Sequence, residues 1–133
     1  MTLVPRTHLK ADPSLLGTPL HVEDGKLAVV ELRAGPEMAV DEVGLVHGGF
    51  TFGLADYAAM LAVNDPYVVL GSSEVRFTAP VKVGDIMRAI ATVEGVEGKR
   101  RDVSVVVSVG ERTVLKGKMV CFVLAGHVLQ LGG

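Results

Sequence analysis

Gly48 and Gly49 stand where a helix should begin, with His47 before them and Asp56 inside the same segment. Each of these residue types has a use in acyl chemistry. A glycine pair lets a ligand approach the backbone closely, because no Cβ blocks the way. The first-turn N–H groups of a helix have no partner within it, and the helix dipole adds positive potential there. Such a helix start can polarise a carbonyl and stabilise the oxyanion that forms when the carbonyl is attacked. A carboxylate between Ala55 and Tyr57 pays for burial unless it finds partners, and low-dielectric surroundings raise its pKa toward that of a usable base or nucleophile. The plain alternative is a solvated helix Asp, or one bonded to a neighbouring strand. His47 either orients a substrate carbonyl or simply bonds backbone at the helix start.

These groups must be positioned by a helix expected from about His47–Gly49 to Val63, where Asn64-Asp65-Pro66 stops it. Phe50, Leu54 and Leu61 recur at offsets that stripe one face. From Val43 to Val63 the ionisable side chains are His47, Asp56 and Tyr57 alone. That length approaches a bilayer span, but four glycines and a carboxylate interrupt it, so a core helix is expected and no membrane role. His47 and Asp56 are nine residues apart, about 13 Å along a helix axis. One carbonyl carbon cannot touch both ends. If both act on one substrate, Asp56 comes from a neighbouring subunit with an antiparallel helix, and the site belongs to a dimer.

The rest of the chain reads as strands. Residues 1–18, with Pro5, Pro13 and Gly17, form an arm with one helical turn at Ser14–Leu16. Leu20–Glu23 and Lys26–Arg33 are strands joined by Asp24-Gly25, both tolerant of positive φ. Pro36 breaks the second strand or starts another short one. Three segments rich in β-branched residues follow: Tyr67–Ala79, Asp85–Glu97 and Arg101–Val109, the last two linked through Gly98-Lys99-Arg100. Gly110-Glu111 then turns into Arg112–Leu124. One helix among antiparallel strands is best buried by a curved sheet wrapped around it, an α+β arrangement in a single domain over residues 1–133. The sheet has two edges, and pairing with a second copy would hide one of them.

Composition sets outer limits. A net charge of −2 argues against nucleic acid as a partner, since phosphate binding needs a basic excess. The single Cys121 precludes an internal disulfide and reads as inert core; with no apolar run after Arg6, His8 and Lys10, a cytoplasmic protein is expected. His8, His21, His47 and His127 lack metal-ligand spacing, so no metal is expected.

The block from Asp41 to Asp56 resembles the hot-dog thioesterases of the phenylacetate-degradation type. Their pattern is Asn-x-x-Gly-x-x-His-Gly-Gly with an Asp nine residues after the His. Gly44, His47, Gly48, Gly49 and Asp56 match it. Leu16-Gly17, Glu23-Asp24-Gly25, Val75 to Pro80 and Gly84-Asp85 extend the similarity over roughly residues 14 to 125. The resemblance implies a hot-dog fold and hydrolysis of an acyl thioester, with coenzyme A as part of the substrate and no separate cofactor. It also implies a homodimer, or a tetramer built from it. Gly48 or Gly49 would supply the oxyanion hole and Asp56 the base or nucleophile. One departure stands out: Asp41 replaces the usual Asn, and an ionised Asp accepts hydrogen bonds but cannot donate them. Further candidates for substrate contact are Ser73, on the strand face of Val75 and Phe77, and the cations Lys82 and Arg100, which could meet CoA phosphates. A non-catalytic acyl-CoA binder would use the same groove. A dehydratase would need a His with a paired acid, which the sequence does not display.

Overall fold

The structure, a computed structural model, describes residues 4–131, so the first three residues of the expected arm and the last two of the chain lie outside it. In chain order it contains α1 (Pro13–Leu16), β1 (Thr18–Glu23), β2 (Leu27–Arg33), a 3₁₀ turn (Pro36–Met38), α2 (Gly48–Val63), β3 (Val68–Phe77), β4 (Ile86–Glu97), β5 (Arg100–Val109) and β6 (Arg112–Val123). The six strands form one curved antiparallel sheet in the order β1-β2-β4-β5-β6-β3, and α2 lies against one face of it. The expected α+β architecture is therefore the observed one.

Strand alternation explains which face is covered. On β5, Val103, Val105 and Val107 are buried under α2, while Asp102, Ser104 and Val106 between them face outward. On β4, Met87, Ala89 and Ala91 do the same, the two alanines giving the helix room to approach. Within the β1–β2 hairpin, the turn takes in Asp24, Gly25 and Lys26, and Gly25 alone adopts positive φ (+72°). The β4–β5 tip is Gly98-Lys99; Arg100 already belongs to β5. Pro36 opens a 3₁₀ turn rather than a new strand, since its ring fixes φ and removes a ladder donor. Beyond it, Ala39 and Val46 form an isolated bridge, as do Leu45 and Lys82.

Helix α2 differs from an ordinary amphipathic helix. Thr51, Leu54, Ala55 and every residue from Tyr57 to Val63 are buried, so no single apolar stripe exists, and Phe50 is only half-buried. The sheet covers one side. The other side is covered by the arm and α1. Leu16 packs on Gly53, where an added Cβ would lie 3.3 Å from its Cδ2. The His8 ring meets Tyr57 with centroids 6.0 Å apart, and Thr7 beside it is buried.

Asn64 fastens the far end. It is fully buried, takes the left-handed conformation that closes α2 (φ +56°), accepts from the Arg6 amide through Oδ1 at 2.7 Å and donates through Nδ2 to the Val4 carbonyl at 3.2 Å. Asn tolerates that backbone conformation better than other non-glycine residues. We expect Asn64→Ala to lose about 2–3 kcal/mol, from two broken hydrogen bonds and a strained φ. Asn64→Gly should recover about 1 kcal/mol of this, because glycine relieves the backbone but not the lost tether. Denaturant melts of the three proteins measure it; equal stability would remove Asn64 from its fastening role.

Candidate functional site

The helix start is held by a loop that the sequence builds from short-range bonds. Asp41 Oδ1 accepts from the amides of Gly44 (2.9 Å) and Leu45 (3.2 Å), closing a turn in which Gly44 has φ +99°. This is an acceptor's task, which an ionised Asp performs as well as an Asn. The substitution at position 41 thus has a local account, and Asp41 spends this oxygen on its own loop rather than on a substrate. Next, the Val46 amide donates to Val81 at 2.8 Å and the His47 amide to Met38 at 2.9 Å, fixing the chain on two sides just before α2.

His47 is the N-cap, extended at φ −62° and ψ 131°, and its side chain makes no capping bond. The Phe50 amide bonds back to the His47 carbonyl at 3.1 Å, whereas the amides of Gly48 and Gly49 find no acceptor among the described residues. Neither glycine has positive φ. Their value is space. A Cβ on Gly48 would sit 3.3 Å from the Phe77 ring, and one on Gly49 would sit 3.0 Å from the His47 imidazole. The imidazole also stands edge-on to Phe50, at 6.2 Å and 81°.

Asp56 lies on the same helix, eight residues after Gly48 and about 12 Å further along the axis. Its Oδ1 is shielded from solvent and has no hydrogen-bond partner among the described residues. Burial pushes its carboxyl above the ordinary aspartate range. Beneath it on β6, burial first and the Asp56 charge second push the Cys121 thiol up to about 12. Cys121 is therefore a neutral, fully buried thiol at ordinary pH, as the sequence reading expects.

The remaining candidates lie in different places. Ser73 is on the edge strand β3, on the face of Val75 and Phe77, opposite Met119 of β6. Lys82 bridges to Leu45 through the backbone and shares a 290 Å³ groove with Val43, Leu45, Asp85 and Arg112 beside the helix-start loop. Arg112 reaches Asp85 at 3.5 Å, leaving the Lys82 ammonium with no carboxylate partner among the described residues. Arg100 lines one groove with Ser73, Asp102 and Lys118, away from the helix start. It gives two hydrogen bonds to Asp102 Oδ1 (3.1 and 3.0 Å) on the sheet face turned away from α2. Strand alternation puts residues 100 and 102 on one face, so the cation expected to meet a ligand meets a carboxylate instead.

Sequence reasoning also left one feature unseen. A cavity of about 430 Å³ opens beside Gly48, between the start of α2 and the ends of β3 and β6, with Phe77, Thr51 and Val114 in its walls. Its one legible trace was the pairing of a glycine at the helix start with a phenylalanine closing β3. Among the described residues, no three His, Cys, Asp or Glu side chains group as metal ligands, and no helix is long and apolar enough to cross a membrane.

A curved six-stranded antiparallel sheet around one long helix, with glycines at that helix's start, is a hot-dog fold. The chain belongs to the MaoC like domain family, which matches residues 41–115, more than half its length. It is similar to an uncharacterised protein of Pyrococcus horikoshii (55% identity, 98% of this chain and 99% of that one, TM-score 0.95). It is also similar to a mutant form of a phenylacetic acid degradation protein from Thermus thermophilus (29%, covering 85% and 100%, TM-score 0.75). Among curated proteins it matches the methylthioribose-1-phosphate isomerase of Aquifex aeolicus at 47% over 113 residues, and the transcription factor FapR of Caldanaerobacter subterraneus at 26% over 116. The chain spans 25% and 58% of those two proteins, so each name describes a longer molecule. The isomerase name is not carried over from a quarter of a chain.

The buried carboxyl makes a prediction about stability. With its folded pKa raised, the native state holds a proton that the unfolded chain releases near pH 4. The stabilisation is complete below that pH and is lost as pH rises through the folded value. Asp56→Asn should therefore gain on the wild type in melting temperature between acidic and neutral pH. A constant difference across that range would show that Asp56 ionises without penalty.

Proposed function

We propose that this protein hydrolyses acyl thioesters of coenzyme A, at a site shared between two copies of the chain. The observation that carries this reading is the unpartnered, buried oxygen of Asp56, on the same helix whose start offers two amides without acceptors. About 12 Å separates them, too far for one thioester carbon. A second copy resolves this. Strand β3 pairs only with β6 and leaves its other edge open. Joining two such edges antiparallel brings the Asp56 of each copy toward the helix start of the other.

In that arrangement the thioester carbonyl oxygen accepts from the Gly48 and Gly49 amides. Asp56 of the other copy takes a proton from water, and the resulting hydroxide attacks the carbonyl carbon. Negative charge moves onto the carbonyl oxygen, where fixed amide dipoles stabilise it without reorganising. Collapse of the intermediate expels the thiolate, which takes up the proton and leaves as free thiol beside the carboxylic acid. A thiolate leaves readily, so no strong general acid is required. Ser73 on the open edge would hold the water, and Lys82 would meet the phosphates of coenzyme A.

A second reading has support of its own: the similarity to a protein named as a transcription factor favours a domain that binds acyl-CoA as a signal without turning it over. Release of free thiol from a panel of acyl-CoAs separates the two. We expect turnover by the wild type, and in Asp56→Ala a fall of about 100-fold or more in kcat with acyl-CoA binding retained. Binding without turnover across the whole panel would favour the sensor and sink the hydrolase.

A further inference from the structure

We infer that the acyl group lies in the cavity beside Gly48, and that this cavity selects uncharged hydrocarbon acyl groups of small size, with Phe77 and Ala79 as specificity residues at its mouth. The inference rests on the placement of the thioester carbonyl at Gly48 and Gly49. Gly48 is itself part of the cavity wall, so a carbonyl bonded to its amide turns its substituent toward that space.

The lining decides the chemistry. Val46, Val81 and Val114 are buried and form the deeper wall. Phe77, Ala79 and Pro80 form the outer one. Two hydroxyls are present, and both spend their protons elsewhere: Thr51 Oγ1 donates to Met87 Sδ at 3.4 Å, and Thr78 Oγ1 donates to the Thr113 carbonyl at 2.7 Å. Among the described residues, no charged side chain lines the cavity. An acyl group carrying a second carboxylate would find no cation and no free hydroxyl donor there, so whatever hydration it loses goes uncompensated. A hydrocarbon group gains in proportion to its buried area.

Size and shape narrow the class. About 430 Å³ lies toward the small end of ligand pockets, which run from roughly 300 to 1,000 Å³. Phe77 is 56% exposed at the end of β3, and its ring rests against Gly48. It is a wall that can be removed without opening the core. Ala79, half-buried on the same side, is a wall that can be thickened. The lone Lys82 sits in the adjoining groove, which shares Pro80 and Val81 with this cavity. A ligand with an apolar acyl end and a phosphate-bearing tail fits the pair of spaces end to end.

The test pairs turnover with binding. Butyryl-, hexanoyl-, phenylacetyl- and succinyl-CoA are assayed for thiol release with the wild type, Phe77→Ala and Ala79→Leu, and non-hydrolysable S-butyl- and S-hexyl-CoA are titrated calorimetrically. We expect the neutral substrates to be used and succinyl-CoA to be poor by tenfold or more. Phe77→Ala should raise, and Ala79→Leu lower, the hexanoyl-to-butyryl ratio of kcat/KM by about tenfold, the worth of a methylene or so in an apolar pocket. Turnover with an unchanged ratio, or with succinyl-CoA preferred, overturns the cavity assignment while leaving hydrolysis intact. Absent turnover combined with S-alkyl-CoA affinities that depend on chain length and shift with Phe77→Ala would uphold the cavity and refute hydrolysis. Affinities independent of the alkyl group in all three proteins would overturn the inference outright.

Discussion

A helix advances 1.5 Å per residue, and nothing in its sequence can shorten that. Gly48 and Gly49 offer their amides at one end of α2, while Asp56 sits more than two turns along with a buried, unpartnered oxygen. Both features are costly to leave idle: open amides at a helix start and a desolvated carboxylate each invite a partner. One helix cannot bring its own two ends to one atom, so the proposed hydrolysis requires two helices side by side in opposite directions. In the proposed dimer each helix contributes its start to one site and its carboxylate to the other.

Much of the remaining structure holds α2 in place for this. The sheet takes one side through the valines of β5 and the small residues of β4. The arm takes another, running from Asn64 past Tyr57 and ending with Leu16 on Gly53. What stays at least partly exposed on the helix is its glycine start, with Phe50, Phe52, Gly53 and Asp56 half-buried. The upward shift in the Asp56 carboxyl follows from being fixed in that half-covered position. A carboxylate held this way costs stability at neutral pH, and the well-packed remainder of the helix offsets it.

The helix, its boundaries and most of the strands were legible because each rests on local rules: β-branched runs for strands, Asn64-Asp65-Pro66 for the stop, glycine at the hairpin tips. The placing of His47, Gly48, Gly49 and Asp56 along one helix was legible, because it depends on spacing within a single element. Meetings of side chains from distant segments were not. Arg100 promised a phosphate contact until the fold placed it over Asp102 two residues away, a pairing hidden until the β4–β5 turn is known to end at Lys99. Asp41 looked like a defect in a binding residue and is an acceptor within its own loop. The all-round burial of α2 fits the core helix expected from its near-lack of charge, but the arm that supplies its second cover gives no sign in its sequence of where it docks. The cavity is the clearest omission, since its walls come from three separate stretches of chain.

Membership of the MaoC like domain family fixes the fold, and relatives of different names show how one scaffold can be put to unlike uses. What sets a hydrolase apart is whether Asp56 of one copy and the helix start of another act on the same substrate. Mixing two disabled proteins addresses that directly: Gly49→Val, which blocks the amides, and Asp56→Asn, which removes the base. Each should be inactive alone, and after subunit exchange the mixture should regain thioesterase activity, because a mixed dimer contains one site with both wild-type halves. No recovery in mixtures whose mixed dimers are confirmed by native mass spectrometry, or full activity in a wild-type monomer, would contradict the shared site.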